Sequence, residues 1–66
     1  MTNSPPFSVG DSVRRRGAKD AFGTVVSVFK TLSDEWLVCV ECTIEMARGA
    51  IYVYAPERVE RINNDH

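Results

Sequence analysis

Apolar positions in this chain come in short runs separated by turn-forming residues, and within the runs they alternate with the period of two that belongs to β-strands. Residues 23–30, Gly-Thr-Val-Val-Ser-Val-Phe-Lys, are rich in β-branched side chains. Strict alternation puts Val26 and Val28 on one face and Val25 and Phe29 on the other, which predicts a strand covered on both sides. After a polar turn, residues 36–42 place Trp36, Val38 and Val40 on one face and Leu37, Cys39 and Glu41 on the other. These two segments predict a central hairpin. Residues 50–54, Ala-Ile-Tyr-Val-Tyr, read as a fourth strand, and a tight turn opened by Pro56 leads into a closing strand at 59–62. At the other end, Val9-Gly10-Asp11 is a turn signal, and the polar run that follows, 12–16, has the character of a short edge strand. Residues 44–48 admit either a helical turn or a wide loop ended by Gly49. The loop is favoured, because one isolated helical turn is too short to be stable by itself.

Five short strands in 66 residues predict an all-β fold. The expected architecture is a small, strongly bent, five-stranded antiparallel barrel of the SH3-like kind, with one short 3-10 turn before the last strand. Residues 1–6, ending in Pro5-Pro6, are expected to form a flexible N-terminal arm, residues 7–63 the barrel domain, and residues 64–66 a tail.

Size sharpens this expectation. A domain near 60 residues buries only about 60% of the surface its unfolded chain exposes, so domains this small usually draw on disulfides, a metal, very regular packing or oligomerisation. Two cysteines allow at most one bridge. No apolar run approaches the roughly 20 residues of a membrane-spanning helix, and the first residues lack the pattern of a secretory leader. The chain is therefore read as cytoplasmic with no membrane partner, where its thiols stay reduced. That leaves packing and self-association as the stabilisers.

The formal net charge of −1 argues against nonspecific nucleic-acid binding. The charge is unevenly distributed. Arginine and lysine dominate the first half, through Arg14, Arg15, Arg16, Lys19 and Lys30, and carboxylates the second. Such an asymmetry either orients subunits or an anionic ligand, or is an ordinary mixed surface.

Candidate chemistry is sparse. Cys39-Val40-Glu41-Cys42 has the spacing of a metal or redox pair, but inside a strand positions i and i+3 point to opposite faces. With no second ligand pair, both cysteines are read as small apolar residues and no metal is expected. In Arg14-Arg15-Arg16, Arg15 points away from its two neighbours, so one face of the run can meet a phosphate or carboxylate while the other is solvated. Trp36, Phe29, Phe22, Tyr52 and Tyr54 supply aromatic surface, with Trp36 and Phe29 expected in the core. Tyr52 and Tyr54 share one face of their strand and Ile51 and Val53 the other, so one of these pairs must look outward. No nucleophile with a nearby histidine base and no glycine-rich phosphate loop is present.

Gly10-Asp11-x-Val13-Arg14 followed by a basic pair, Gly23 opening an apolar strand, and the ending from Tyr54 to Val59-Glu60-Arg61-Ile62-Asn63 resemble the plasmid-borne type II dihydrofolate reductases. The resemblance covers residues 7–63. It implies a homo-oligomer, dimer or tetramer, of bacterial plasmid or mobile-element character, in which barrels surround a shared pore. There a Val-Gln-Ile-Tyr segment of each subunit holds dihydrofolate and NADPH for direct hydride transfer. The corresponding segment here is Ile51-Tyr52-Val53-Tyr54, with Tyr52 in place of the glutamine and Ala50 in place of a preceding serine. Arg15 aligns with the lysine that attracts the anionic ligands, which keeps the charge with a different geometry.

The glutamine amide is both donor and acceptor, whereas tyrosine offers one hydroxyl on a bulky ring. The leading expectation is thus a self-associating, non-enzymatic binding module, with Arg15, Ala50, Ile51, Tyr52, Val53 and Tyr54 around a site for a partner protein or a flat anionic ligand. The alternative is a divergent NADPH-dependent reductase of the type II kind. A nucleic-acid-binding domain is a further alternative, resting on the Arg14 to Lys19 cluster and disfavoured by the acidic second half.

Overall fold

The computed structural model describes residues 4–62, so the expected tail and the first half of the expected arm lie outside the described residues. The chain is all-β. Five strands, β1 (Ser12–Arg15), β2 (Gly23–Lys30), β3 (Trp36–Cys42), β4 (Ile51–Tyr54) and β5 (Val59–Arg61), form one antiparallel sheet in the order β4-β3-β2-β1-β5. The expected 3-10 turn precedes the last strand at Pro56–Arg58, with Pro56 opening it. No helix among the described residues is long and apolar enough to cross a membrane.

The core is built mainly of valine. Val13, Val25, Val38, Val40 and Val59 are the largest fully buried side chains, joined by Phe7 and Phe22 in one cluster, with Val28 and Tyr54 packed against it. Because Val59 of β5 and Val40 of β3 belong to the same cluster, the sheet curls over its own inner face. β-branched residues suit this surface, since they pack on a pleated sheet with little rotamer freedom left to lose.

Phase along β2 departs from strict alternation. Val25 lies opposite Val40, yet Ser27 lies opposite Cys39, so Val26 is an extra residue at a β-bulge. The bulge lets Val25 and Val28, three residues apart, both face the core, whereas alternation had paired Val28 with Val26. Val26 is instead exposed. Phe29 is likewise exposed on the outer face opposite Leu37, and Trp36 is only half-buried at the end of β3, so neither joins the core expected of it.

β1 is not an edge strand. It lies between β2 and β5, with Arg14 directly opposite Glu60. Arg14 Nε donates to Glu60 Oε1 at 3.0 Å and Arg16 Nη1 to Glu60 Oε2 at 3.1 Å, while Arg61 Nε donates to Asp11 Oδ2 at 3.0 Å. The two halves of the charge asymmetry therefore meet across the β1–β5 seam. A further difference is a 3-10 turn at Glu45–Ala47 within the segment read as a loop, followed by Gly49 at φ +89°.

Gly23 marks the tightest approach in the sheet. It is buried where β2 pairs with both Val13 and Cys42, and a Cβ added there would collide with the Val40 side chain and the backbone carbonyl of Glu41. Since a backbone carbonyl cannot swing aside, Gly23→Ala is expected to destabilise the fold by about 1–3 kcal/mol. A denaturant titration whose midpoint did not move would refute this.

Candidate functional site: a guanidinium and three aromatic rings

Strand parity divides β4 cleanly. Tyr52 and Tyr54 lie opposite Val40 and Val38 on the inner face, whereas Ile51 and Val53 lie opposite Glu41 and Cys39 on the outer face. The outward pair is thus aliphatic, with both side chains 53% exposed. Cys39 on the outer face and Cys42 on the inner face are separated as their spacing requires.

On the inner side Tyr54 is half-buried, and its ring meets Phe22 edge-on, centroids 5.6 Å apart and planes at 86°. This is the arrangement the ring quadrupoles favour. Tyr52, 38% exposed, lies 6.3 Å from Tyr54 with its ring tilted. The Arg15 guanidinium sits 5.1 Å from the centroid of the same Phe22 ring. A continuous row results, running Arg15, Phe22, Tyr54, Tyr52. Its parts come from the end of β1, the residue before β2, and β4.

Among the three consecutive arginines, Arg14 and Arg16 share Glu60, while Arg15 projects over Phe22. No carboxylate partner of Arg15 is found among the described residues. Beside it opens a cleft of about 240 Å³ lined by Arg15, Lys19, Phe22 and Ile44, among others. Asp20 also lines the cleft, so its charge is two cations against one carboxylate; the ring surface can take a flat group and the excess positive charge an anion.

No family model, curated protein or solved structure matches the chain.

Of the residues expected to form the site, Arg15, Tyr52 and Tyr54 belong to one surface. Ile51 and Val53 lie on the opposite face of the sheet, and Ala50 contributes its carbonyl to the Cys42 N–H at 2.7 Å. Phe22, which links the arginine to the tyrosines, was among the aromatic candidates but not placed at the centre.

Proposed function

We propose that this chain is a self-associating, non-enzymatic binding module on an SH3-like barrel, and that it takes a flat anionic ligand on the Arg15–Phe22–Tyr54–Tyr52 row. The barrel reading is supported by the strand order, the inward-curling core and the 3-10 turn between the last two strands. The site reading rests on one observation: a guanidinium engaged by no carboxylate among the described residues lies over an aromatic row that continues to the exposed ring of Tyr52. Stacking and charge then act on the same ligand, the rings fixing its plane and Arg15 its anionic end.

The test is a binding titration with NADPH, dihydrofolate and short RNA at low and moderate salt, on the natural protein and on Arg15→Ala. A planar anion is expected to bind with an affinity that falls as salt rises. Removing Arg15 is expected to weaken binding roughly tenfold to a hundredfold, the range for loss of one charge-assisted hydrogen bond. Binding that ignored both salt and Arg15, or no binding by any of these probes, would overturn the reading. Preference for RNA over the two small ligands would favour the nucleic-acid alternative instead.

A further inference from the structure

The two edges of the sheet differ in chemistry. β5 carries Glu60 and Arg61, both tied into ion pairs with the neighbouring β1 side of the sheet, and charges of this kind keep a strand edge from pairing with another chain. β4, at the other edge, is Ile-Tyr-Val-Tyr, with neither charge nor proline, and Ile51, Tyr52 and Val53 are all exposed. An uncharged, apolar edge strand left open is a template for another strand.

Backbone geometry narrows which strand and in which register. The Cys42 N–H donates to the Ala50 carbonyl, so Ala50 directs its carbonyl at β3, while its N–H donates to the Ala47 carbonyl. In an antiparallel ladder successive residues alternate, so Tyr52 and Tyr54 also face β3, whereas Ile51 and Val53 direct N–H and C=O out of the sheet. A second copy related by a two-fold axis perpendicular to the sheet keeps inner face with inner face, which restricts the pairing to self-opposed registers. Centring on Val53 would place Ile51 against Ala55, whose carbonyl already accepts the Arg58 N–H. Centring on Ile51 would place Val53 against Gly49, whose N–H already donates to Cys42. Centring on Tyr52 pairs Ile51 with Val53 twice, and both residues have outward backbone groups to exchange.

We propose that two copies of this chain pair antiparallel through β4, with Tyr52 facing Tyr52 of the second copy across the two-fold axis. The two Ile51–Val53 pairs exchange their backbone hydrogen bonds and extend the outer apolar surface formed by Phe29, Leu37, Cys39 and Val53. On the inner face the aromatic row doubles, so that the two sites meet at the paired tyrosines with an arginine at each far end. The inference rests on the self-association proposed above and specifies its surface. It also completes the site, since each copy supplies Tyr52 to its partner's row.

Register-specific cysteine trapping tests it. A self-opposed, non-hydrogen-bonded pair holds its Cα atoms about 4.5 Å apart, inside the range a disulfide spans. Ile51 and its own counterpart are diagonal neighbours at roughly 7–8 Å, beyond easy bridging, and the same holds for Val53. Because Cys39 lies opposite Val53 and would bridge a cysteine there, the variants are made in a Cys39→Ser background. Under mild oxidation Tyr52→Cys is expected to convert most chains to a covalent dimer, while Ile51→Cys, Val53→Cys and the Cys39→Ser parent stay at background. Val53→Pro removes an N–H that β3 does not use, so by light scattering it is expected to weaken dimerisation tenfold or more with the circular dichroism of the fold retained. Equal cross-linking at all three positions, or no covalent dimer from Tyr52→Cys although the natural protein is oligomeric, would overturn the β4 pairing and leave self-association standing. A natural protein that stayed monomeric at high concentration would remove both.

Discussion

Phe22→Ala is expected to destabilise the fold by about 3–5 kcal/mol. The Phe22 ring is 4% exposed and belongs to the core cluster, where its neighbours are mostly valines. Short, stiff side chains cannot collapse into a void the size of a phenyl ring, so the cost lies in the usual range for this change, about 3–5 kcal/mol. A chain of 66 residues has roughly 3–10 kcal/mol of total stability at typical per-residue values. The substitution therefore removes a large share of it. Arg15 and Tyr54 lose their common platform at the same time. Denaturant unfolding followed by circular dichroism measures the effect, and a loss under about 1 kcal/mol would show that the ring is not a keystone of the core. Phe22→Leu separates packing from recognition. It keeps most of the buried volume and should keep the fold, but it presents no ring face to Arg15 or to a planar ligand.

Dihydrofolate reduction by the natural protein is expected to be absent or very weak, and Tyr52→Gln is expected to raise it more than any other single change. Hydride transfer between two flat ligands with no evident proton donor in the protein depends on holding them in a reactive geometry. An amide at position 52 could pair with the donor and acceptor edges of both ligands. Tyr52 instead places a ring 6.3 Å from Tyr54, extending a stacking surface where paired hydrogen bonds would be needed. In a symmetric assembly that change recurs in every copy. Leaving a polar ligand edge unpaired costs about 1–3 kcal/mol, so restoring the amide should gain roughly tenfold or more in turnover. The assay is NADPH oxidation with dihydrofolate at low ionic strength, on the natural protein and on Tyr52→Gln. Robust turnover by the natural protein would show that the tyrosine is tolerated and would revive the reductase alternative.

The strands were legible because each segment carries its own alternation and is bounded by residues that break it. β2 and β3 match the expected 23–30 and 36–42, and the other three strands are each one residue shorter than expected. What local pattern could not supply was phase within Val-Val-Ser-Val, where the bulge at Val26 becomes visible only when β3 is laid alongside. It also could not supply the partner of β1. An arginine-rich strand reads as an edge until Glu60, far along the chain, is found opposite it. Tyr52 and Tyr54 could be assigned to a common face by parity alone, and Arg15 could be separated from its neighbours in the same way. The contact between the arginine and the tyrosines runs through Phe22, and no spacing rule indicates which of several rings occupies that place.

The aromatic row draws on residues near both ends of the chain: Arg15 on β1 and Phe22 before β2, with Tyr52 and Tyr54 on β4. β4 reaches β1 only through β3 and β2. No partly folded fragment holds the complete recognition surface, so a ligand of this surface binds the native state and not the open chain. Its free energy of binding then adds to the free energy of unfolding as RT ln(1 + [L]/Kd), about 2.7 kcal/mol at a hundredfold excess over Kd. For a domain this small, such an increment raises the melting temperature by roughly 10–20 °C. The architecture of the site thus makes the fold its own reporter: the right ligand announces itself as heat resistance, before its chemistry is known.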